Sequence, residues 1–242
     1  MNALELFQSG KLQAAIQALG EEVRSAPLDA KRRIFLFELL CFAGDYDRAE
    51  KHLDVVAGAT QAANVGALLY RSALHAERTR QKMFQEASYP MPRKPLEEPG
   101  QIGGQSFAGF ADADPRIGGA LEIFVAGSYS WIDFQQIASI EVPRPKRLRD
   151  LLWTPAIVTT TPEYKALELG EVLLPVLSPL SWKNPDDSVR LGRSTIWEPD
   201  SVHGEVPFGQ KLFFAGEECI PILELGKIEL SMHSGATDAL PS

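Results

Sequence analysis

The sequence predicts an α+β protein with a helical N-terminal third and a β-rich remainder. Residues 1–87 contain little proline or glycine, and apolar side chains recur there at intervals of three and four residues, which is typical of amphipathic helices. From Gln105 onward, short runs of β-branched and aromatic residues are separated by Gly, Pro, Asn or Asp. Between these regions, residues 88–104 contain four prolines and three glycines, which predicts a linker. Residues 231–242 are small and polar and are expected to be a disordered tail.

Two copies of a helical repeat are predicted in the N-terminal region. Four residues recur 34 positions later in the chain: Leu6, Gly10, Ala15 and Leu19 match Leu40, Gly44, Ala49 and Leu53. A 34-residue period is typical of tetratricopeptide repeats, in which a turn joins two helices. We therefore predict a tetratricopeptide-like α-α superhelix, followed by a further helix from about Ala62 to Ala87. An unrelated helical bundle is the alternative.

The predicted β-rich domain spans residues 105–230 and forms a compact bent sheet or small open barrel with one helix. Its strands are expected at residues 128–134, 137–142, 156–161, 171–177, 211–215 and 219–225. The helix is predicted at residues 115–126, because Asp114 is suited to cap it, Pro115 occupies its first position and Gly127 follows it. Residues 178–205 are expected to be mostly loop.

Composition and charge indicate a cytoplasmic protein that binds neither nucleic acid nor membranes. The longest apolar runs are too short to span a bilayer, and the first ten residues lack the basic segment of a signal peptide. The net charge is −8, and all of this excess lies in residues 100–242. With only Cys41 and Cys219, we expect neither a disulfide framework nor a zinc site.

No residue set shows the spacing of a catalytic or metal centre. The four histidines lack the short spacings of metal-binding helices: His52, His75, His203 and His233. Asp112 and Asp114 lack the downstream glycine and glutamate of a calcium loop. We expect no metal, no cofactor, no small-molecule substrate and no catalysis. A hydrolase or transferase centre using Asp112, Asp114 or His203 is the less favoured alternative.

One basic cluster interrupts the acidic part of the chain. It contains four cations within six residues: Arg144, Lys146, Arg147 and Arg149. Because the surrounding region is acidic, a solvated loop or a contact with an acidic protein is favoured over phosphate binding.

The candidate binding surface lies on the helix that contains residues 34–42, where eight of nine side chains are apolar. A helix that packs on one side needs only an apolar stripe, so the remaining apolar surface is available to a partner. The repeat register places five residues on the concave side as the partner-binding set: Lys31, Ile34, Glu38, Cys41 and Phe42. Such a groove suits an amphipathic helix. Alternatively, the third helix or the β-rich domain covers it.

The order of several segments resembles the ImpE/TagJ (SciE-type) family of type VI secretion accessory proteins. The matching segments are residues 110–118, 127–134, 148–156, 191–198 and 209–213, together with residues 30–41 of the helical region. The resemblance extends from about Leu4 to Leu225, and the order and spacing of the segments make it specific.

This resemblance implies a non-enzymatic cytoplasmic accessory factor. Members of the family are associated with the contractile sheath, where they contact a helix of its small subunit, and with the ClpV-type ATPase that recycles the sheath. In that role Ile34, Cys41 and Phe42 bury the apolar face of the bound helix, and Lys31 and Glu38 orient it. A generic tetratricopeptide adaptor unrelated to secretion is the alternative.

Overall fold

The computed structural model describes residues 1–58, 60–164 and 169–230. It confirms the α+β class, since N-terminal helices precede a large antiparallel sheet. The predicted tail, residues 231–242, lies outside the described residues. Within them, no helix is both long enough and apolar enough to cross a membrane.

In the described residues, the N-terminal part contains five helices: α1 Ala3–Gln8, α2 Leu12–Ser25, α3 Ala30–Phe42, α4 Tyr46–Ala57 and α5 Gln61–Gln85. The recurring glycines, Gly10 and Gly44, follow α1 and α3 with φ of 80° and 72°. In both turns the next amide donates back to the last helical turn, over 2.9 Å to Leu6 and 2.9 Å to Leu40. The 34-residue recurrence therefore reflects two equivalent helix ends. The superhelix itself stays a prediction.

Ten strands of the part that the structure describes form one antiparallel sheet: β1 Leu96–Ile102, β2 Gln105–Asp112, β3 Ala120–Val125, β4 Ser128–Asp133, β5 Ile137–Glu141, β6 Trp153–Thr160, β7 Glu171–Pro175, β10 Leu212–Ala215, β11 Glu218–Pro221 and β12 Lys227–Glu229. Their order is β11-β10-β2-β1-β12-β5-β6-β7-β3-β4, and the sheet is not closed. A separate hairpin contains β8 Ile196–Asp200 and β9 Gly204–Phe208. The hairpin and the one-turn helix α6, Asp187–Arg190, lie within or beside the segment that we expected to be mostly loop.

The predicted helix at residues 115–126 is wrong, because a turn and then β3 occupy that segment. The Asp114 carboxylate accepts the Arg116 amide at 3.0 Å and so caps a tight turn instead of a helix. Gly118 and Gly119 then pass so close to the backbone of residues 93–95 that a Cβ atom would not fit. This close approach and the β-branched, aromatic sequence of β3 favour a strand.

The predicted linker also differs from the structure, because its second half forms β1. This strand pairs with β2 and β12, and an irregularity between Leu96 and Pro99 accommodates the proline in the ladder. Gly100 lies against the Phe107 ring and the Glu229 carbonyl, where no side chain fits. The sheet therefore begins at Leu96, ahead of the predicted boundary at residue 105.

The helices and the sheet share one hydrophobic cluster. Leu152, Trp153 and Phe124 of the β-rich part join the buried residues of α2 to α5. The rings of Phe37 and Trp153 lie 6.4 Å apart, and the indole nitrogen donates to Glu77 of α5 at 3.0 Å. A second hydrophobic cluster consists mainly of buried apolar side chains from the strands of the sheet. Because α3 contributes Leu36, Phe37 and Leu39 to Phe42 to this shared cluster, these side chains face the interior of the protein.

Candidate functional site

The structure buries most of the residues predicted to form the binding groove. Glu38, Cys41 and Phe42 are only 6%, 4% and 1% exposed, whereas Lys31 is exposed and Ile34 is partly buried. Cys41 and Phe42 line a small internal cavity together with side chains of the β-rich part, among them Trp153 and Trp182. The prediction of an open groove at these three positions is therefore wrong, because α5 and the β-rich part cover that side of α3.

Glu38 lies at a junction between α3, α5 and the loop that precedes β6. The Tyr70 hydroxyl donates to its carboxylate at 3.1 Å, and the Arg149 guanidinium lies 5.4 Å from the Tyr70 ring centre. Burial raises the pKa of Glu38 to about 7, although the Tyr70 hydrogen bond and the charge of Arg149 act in the opposite direction. Glu38 is therefore a buried, titratable contact between elements and not an exposed rim charge.

A buried ionic network joins α5 to the sheet. Arg80 donates to both carboxylate oxygens of Glu122, at 2.7 and 2.9 Å. The Lys211 ammonium nitrogen lies 2.7 Å from an oxygen of the same carboxylate and also contacts the Asp112 carboxylate. The Tyr129 hydroxyl donates to Glu122 at 2.5 Å. All four charged side chains are at least 95% buried.

Burial and charge act in opposite directions on the carboxylates of this network. At Glu122, burial opposes ionisation, but the charges of Arg80 and Lys211 outweigh it and lower the pKa. At Asp112, burial dominates and raises the pKa to about 7 despite the contact with Lys211. Glu122 thus carries one negative charge that the two buried cations share. The network joins α5 to β3, to the end of β2 and to Lys211, the residue before β10.

Each residue considered for catalysis has a charged partner, and the Asp112 carboxylate also accepts the backbone amide of Asp114 at 2.9 Å. The Asp112 carboxylate contacts the Lys211 ammonium group. A carboxylate oxygen of Asp114 lies 2.6 Å from a guanidinium nitrogen of Arg116, and Nδ1 of His203 lies 3.0 Å from a carboxylate oxygen of Asp200. In the part of the chain that the structure describes, no group of three or more His, Cys, Asp or Glu is placed to hold a metal ion. These pairs give each carboxylate a structural partner.

An exposed apolar surface lies on the N-terminal half of α5. Val65, Leu68 and Leu69 are 63%, 60% and 61% exposed, and their spacing places them on one side of the helix. We call these three residues the α5 face. Beside it lies an open cavity of about 210 Å³, lined by Leu69 and Ala73 of α5, by the end of β3 and by Glu171 to Leu173 of β7.

The basic cluster identified in the sequence borders this surface. Arg149 lines the cavity beside the α5 face. Arg144, Lys146 and Arg147 are exposed, and within the described ranges the structure records no ion pair for any of them. The Asp150 carboxylate accepts the backbone amides of Lys146 and Arg147 at 2.9 and 3.0 Å, which fixes the loop. We call residues 144–149 the basic loop.

Sequence reasoning did not identify the α5 face as a surface. It predicted the third helix from about Ala62 to Ala87 and assigned no exposed apolar side to it. The available signal was an excess of apolar residues: Val65, Ala67, Leu68, Leu69 and Tyr70 surround more of the helix than one packing stripe requires. In the structure Ala67 is buried and Tyr70 is partly buried, while the α5 face points outward.

These features define an α+β protein in which a buried ionic network joins the helical part, through α5, to an open sheet. Residues 104–229 match the family model described as ImpE protein. The chain is 34% identical to the type VI secretion system accessory component TagJ of Pseudomonas aeruginosa, over 91% of this chain and 88% of that protein. The chain therefore belongs to the ImpE family, and the resemblance found in the sequence is confirmed.

A solved structure shows the same fold. The crystal structure of protein VPA1032 from Vibrio parahaemolyticus matches with a TM-score of 0.83, over 96% of this chain and 98% of that chain. The two sequences are 23% identical. The match includes both the helices and the sheet, so the arrangement of the two parts is common to both proteins.

Proposed function

We propose that this protein is a non-enzymatic accessory component of a type VI secretion system that acts in the cytoplasm by binding another protein. The observation that carries the proposal is the 34% identity to an accessory component over 91% of this chain. Such coverage includes the helical part as well as the sheet, so the whole architecture is shared and not one module alone.

The partner in this proposal is a helix of the sheath small subunit. An exposed apolar stripe on a helix is a suitable receptor for an amphipathic helix. The apolar side chains of the bound helix recur every three or four residues and pack against the stripe. Of the residues predicted for this contact, Lys31 is exposed and Ile34 is partly buried, so only these two remain available to a partner. Glu38, Cys41 and Phe42 support the helices from inside. A link from the sheath to its recycling ATPase is the further part of the proposal.

The internal chemistry also supports an adaptor. The carboxylates considered for catalysis are ion-paired within the fold, and the cavity beside Cys41 is lined by packed aromatic and polar groups. An enzyme needs a base or nucleophile that reaches a bound substrate. Asp112 and Asp114 instead contact the buried side chains of Lys211 and Arg116.

The test is a pull-down with the cognate sheath small subunit, with and without its candidate N-terminal helix. The proposal predicts retention of the intact subunit and loss of retention when the helix is deleted. If the intact subunit is not retained, the proposed role in secretion fails. If both forms are retained equally, the helix is not the recognised segment.

A further inference from the structure

We infer that the α5 face, the adjoining cavity and the basic loop form one docking surface for an amphipathic helix whose flank is acidic. The inference rests on the proposed function in one respect, that the protein binds a helix. It adds where the helix binds and which charge it carries. The sequence-based groove on α3 is closed, so the surface is a different one.

The apolar part of this surface has the geometry of a helix receptor. Val65 and Leu69 are four residues apart and Leu68 lies between them, so their side chains form a ridge along α5. Each is about 60% exposed, although large apolar side chains of a folded domain are mostly buried. A helix that packs along this ridge covers all three residues.

The cavity beside the ridge supplies a pocket for one anchor of the partner. Leu69 forms one side, Ala73 and Phe124 contribute apolar surface, and the volume of about 210 Å³ accommodates a large apolar side chain. Binding energy at protein interfaces concentrates in such anchored side chains. A ridge flanked by a pocket matches a helix with apolar residues at i, i+3 and i+4.

The positive charge of the basic loop indicates that the flank of the bound helix is acidic. Arg144, Lys146 and Arg147 project from a loop that Asp150 holds in place, and the described residues give them no ion-pair partner. The loop lies beside α5, since Arg149 contacts the Tyr70 ring and lines the cavity. In a chain with a net charge of −8, such an unpaired basic group is complementary to an acidic partner.

The distribution of charge also gives an orientation. Glu171 lines the same cavity from β7, whereas Arg149 lines it from the basic loop that follows β5. The acidic flank of the bound helix therefore faces the loop and not β7. A second copy would bring the same cations to this patch, so charge complementarity favours a different partner.

The experiment uses two designed helical peptides with the same apolar face, one flanked by glutamates and one by lysines at the same positions. Binding to the full chain is measured by calorimetric titration. We expect the acidic peptide to bind at least about tenfold more tightly than the basic one. Leu68→Asp should weaken binding of the acidic peptide at least about tenfold. A triple charge reversal of Arg144, Lys146 and Arg147 should remove the preference for the acidic peptide.

The matched control is Leu28→Asp, which places the same charge at a leucine that is 87% exposed in the turn before α3. It should bind like the unmodified protein, and circular dichroism should show that all variants fold. Equal binding of the two peptides, no binding of either, or no effect of Leu68→Asp overturns the inference. The inference is also overturned if the unmodified protein is a dimer, Leu68→Asp is a monomer and peptide binding is unchanged. That result would show that a second copy of the chain covers the patch.

A parallel titration with the intact sheath small subunit separates this inference from the proposed function. If the unmodified protein binds the subunit and Leu68→Asp binds it equally well, the docking surface is wrong and the secretion role stands. If the subunit does not bind but the acidic peptide binds through Leu68, the surface is supported and the proposed partner is wrong.

Discussion

Replacing Glu38 by glutamine should make the protein more stable at neutral pH and change the pH dependence of its stability. Glu38 is 6% exposed and accepts a hydrogen bond from Tyr70, which a glutamine oxygen can also accept. The substitution therefore removes the charge and conserves the shape. It tests directly whether α5 closes over this side of α3.

The size of the effect follows from the pKa. Burial raises the pKa of Glu38 from 4.5 to about 7. Each pH unit of this difference corresponds to about 1.4 kcal/mol, so ionising Glu38 in the fold lowers the free energy of unfolding by about 3 kcal/mol. A raised pKa gives stability that is fully present below the unfolded pKa and is lost as pH rises through the folded pKa. The loss therefore falls between about pH 4.5 and pH 7.

The assay is urea unfolding of the two proteins at a series of pH values from about 4.5 to 8. The free energy of unfolding of Glu38→Gln minus that of the unmodified protein should rise by about 3 kcal/mol across this range. Taking the difference cancels other titrating groups, including Asp112. Glu21→Gln, at an exposed position on α2, controls for the substitution. A difference that is constant with pH would show that Glu38 is solvated and that the closed interface is wrong.

Two further predictions concern the buried charges and thiols. Replacing Glu122 by glutamine leaves Arg80 and Lys211 buried without their shared carboxylate, so the free energy of unfolding should fall by about 3–5 kcal/mol in urea titrations; a loss below about 1 kcal/mol would contradict the network. Cys41 is buried and its thiol pKa is raised by burial, whereas Cys219 is exposed. A thiol reagent should therefore label Cys219 in the folded protein and Cys41 only after unfolding; comparable labelling of both in the folded protein would show that α3 is accessible.

The helical part was largely predictable because its signals are local. The 34-residue recurrence of Gly10 and Gly44 marks two helix ends with the same hydrogen bonds, and each signal lies within a few residues of the structure that it determines. The segment after Asp114 shows the limit of this reasoning. Its capping residues suit both a helix and a tight turn, and the close contact of Gly119 with a distant backbone decides between them.

The binding surface could not be predicted from local pattern, because burial depends on contacts between distant residues. The apolar excess around Cys41 and Phe42 is real, but side chains such as Trp153 and Trp182 cover it from the β-rich part. The same docking leaves the α5 face uncovered. The sequence shows that one helix has more apolar surface than a stripe requires, and only the arrangement of the two parts shows which surface stays exposed.

We propose that this protein recognises a helix of the sheath small subunit, and the decisive measurement is calorimetric titration of the purified subunit into the full chain. We expect saturable binding that disappears when the candidate N-terminal helix of the subunit is removed and that the isolated helix reproduces as a peptide. Absence of binding by the intact subunit, or equal binding by the subunit without its helix, would show that the proposed recognition is wrong.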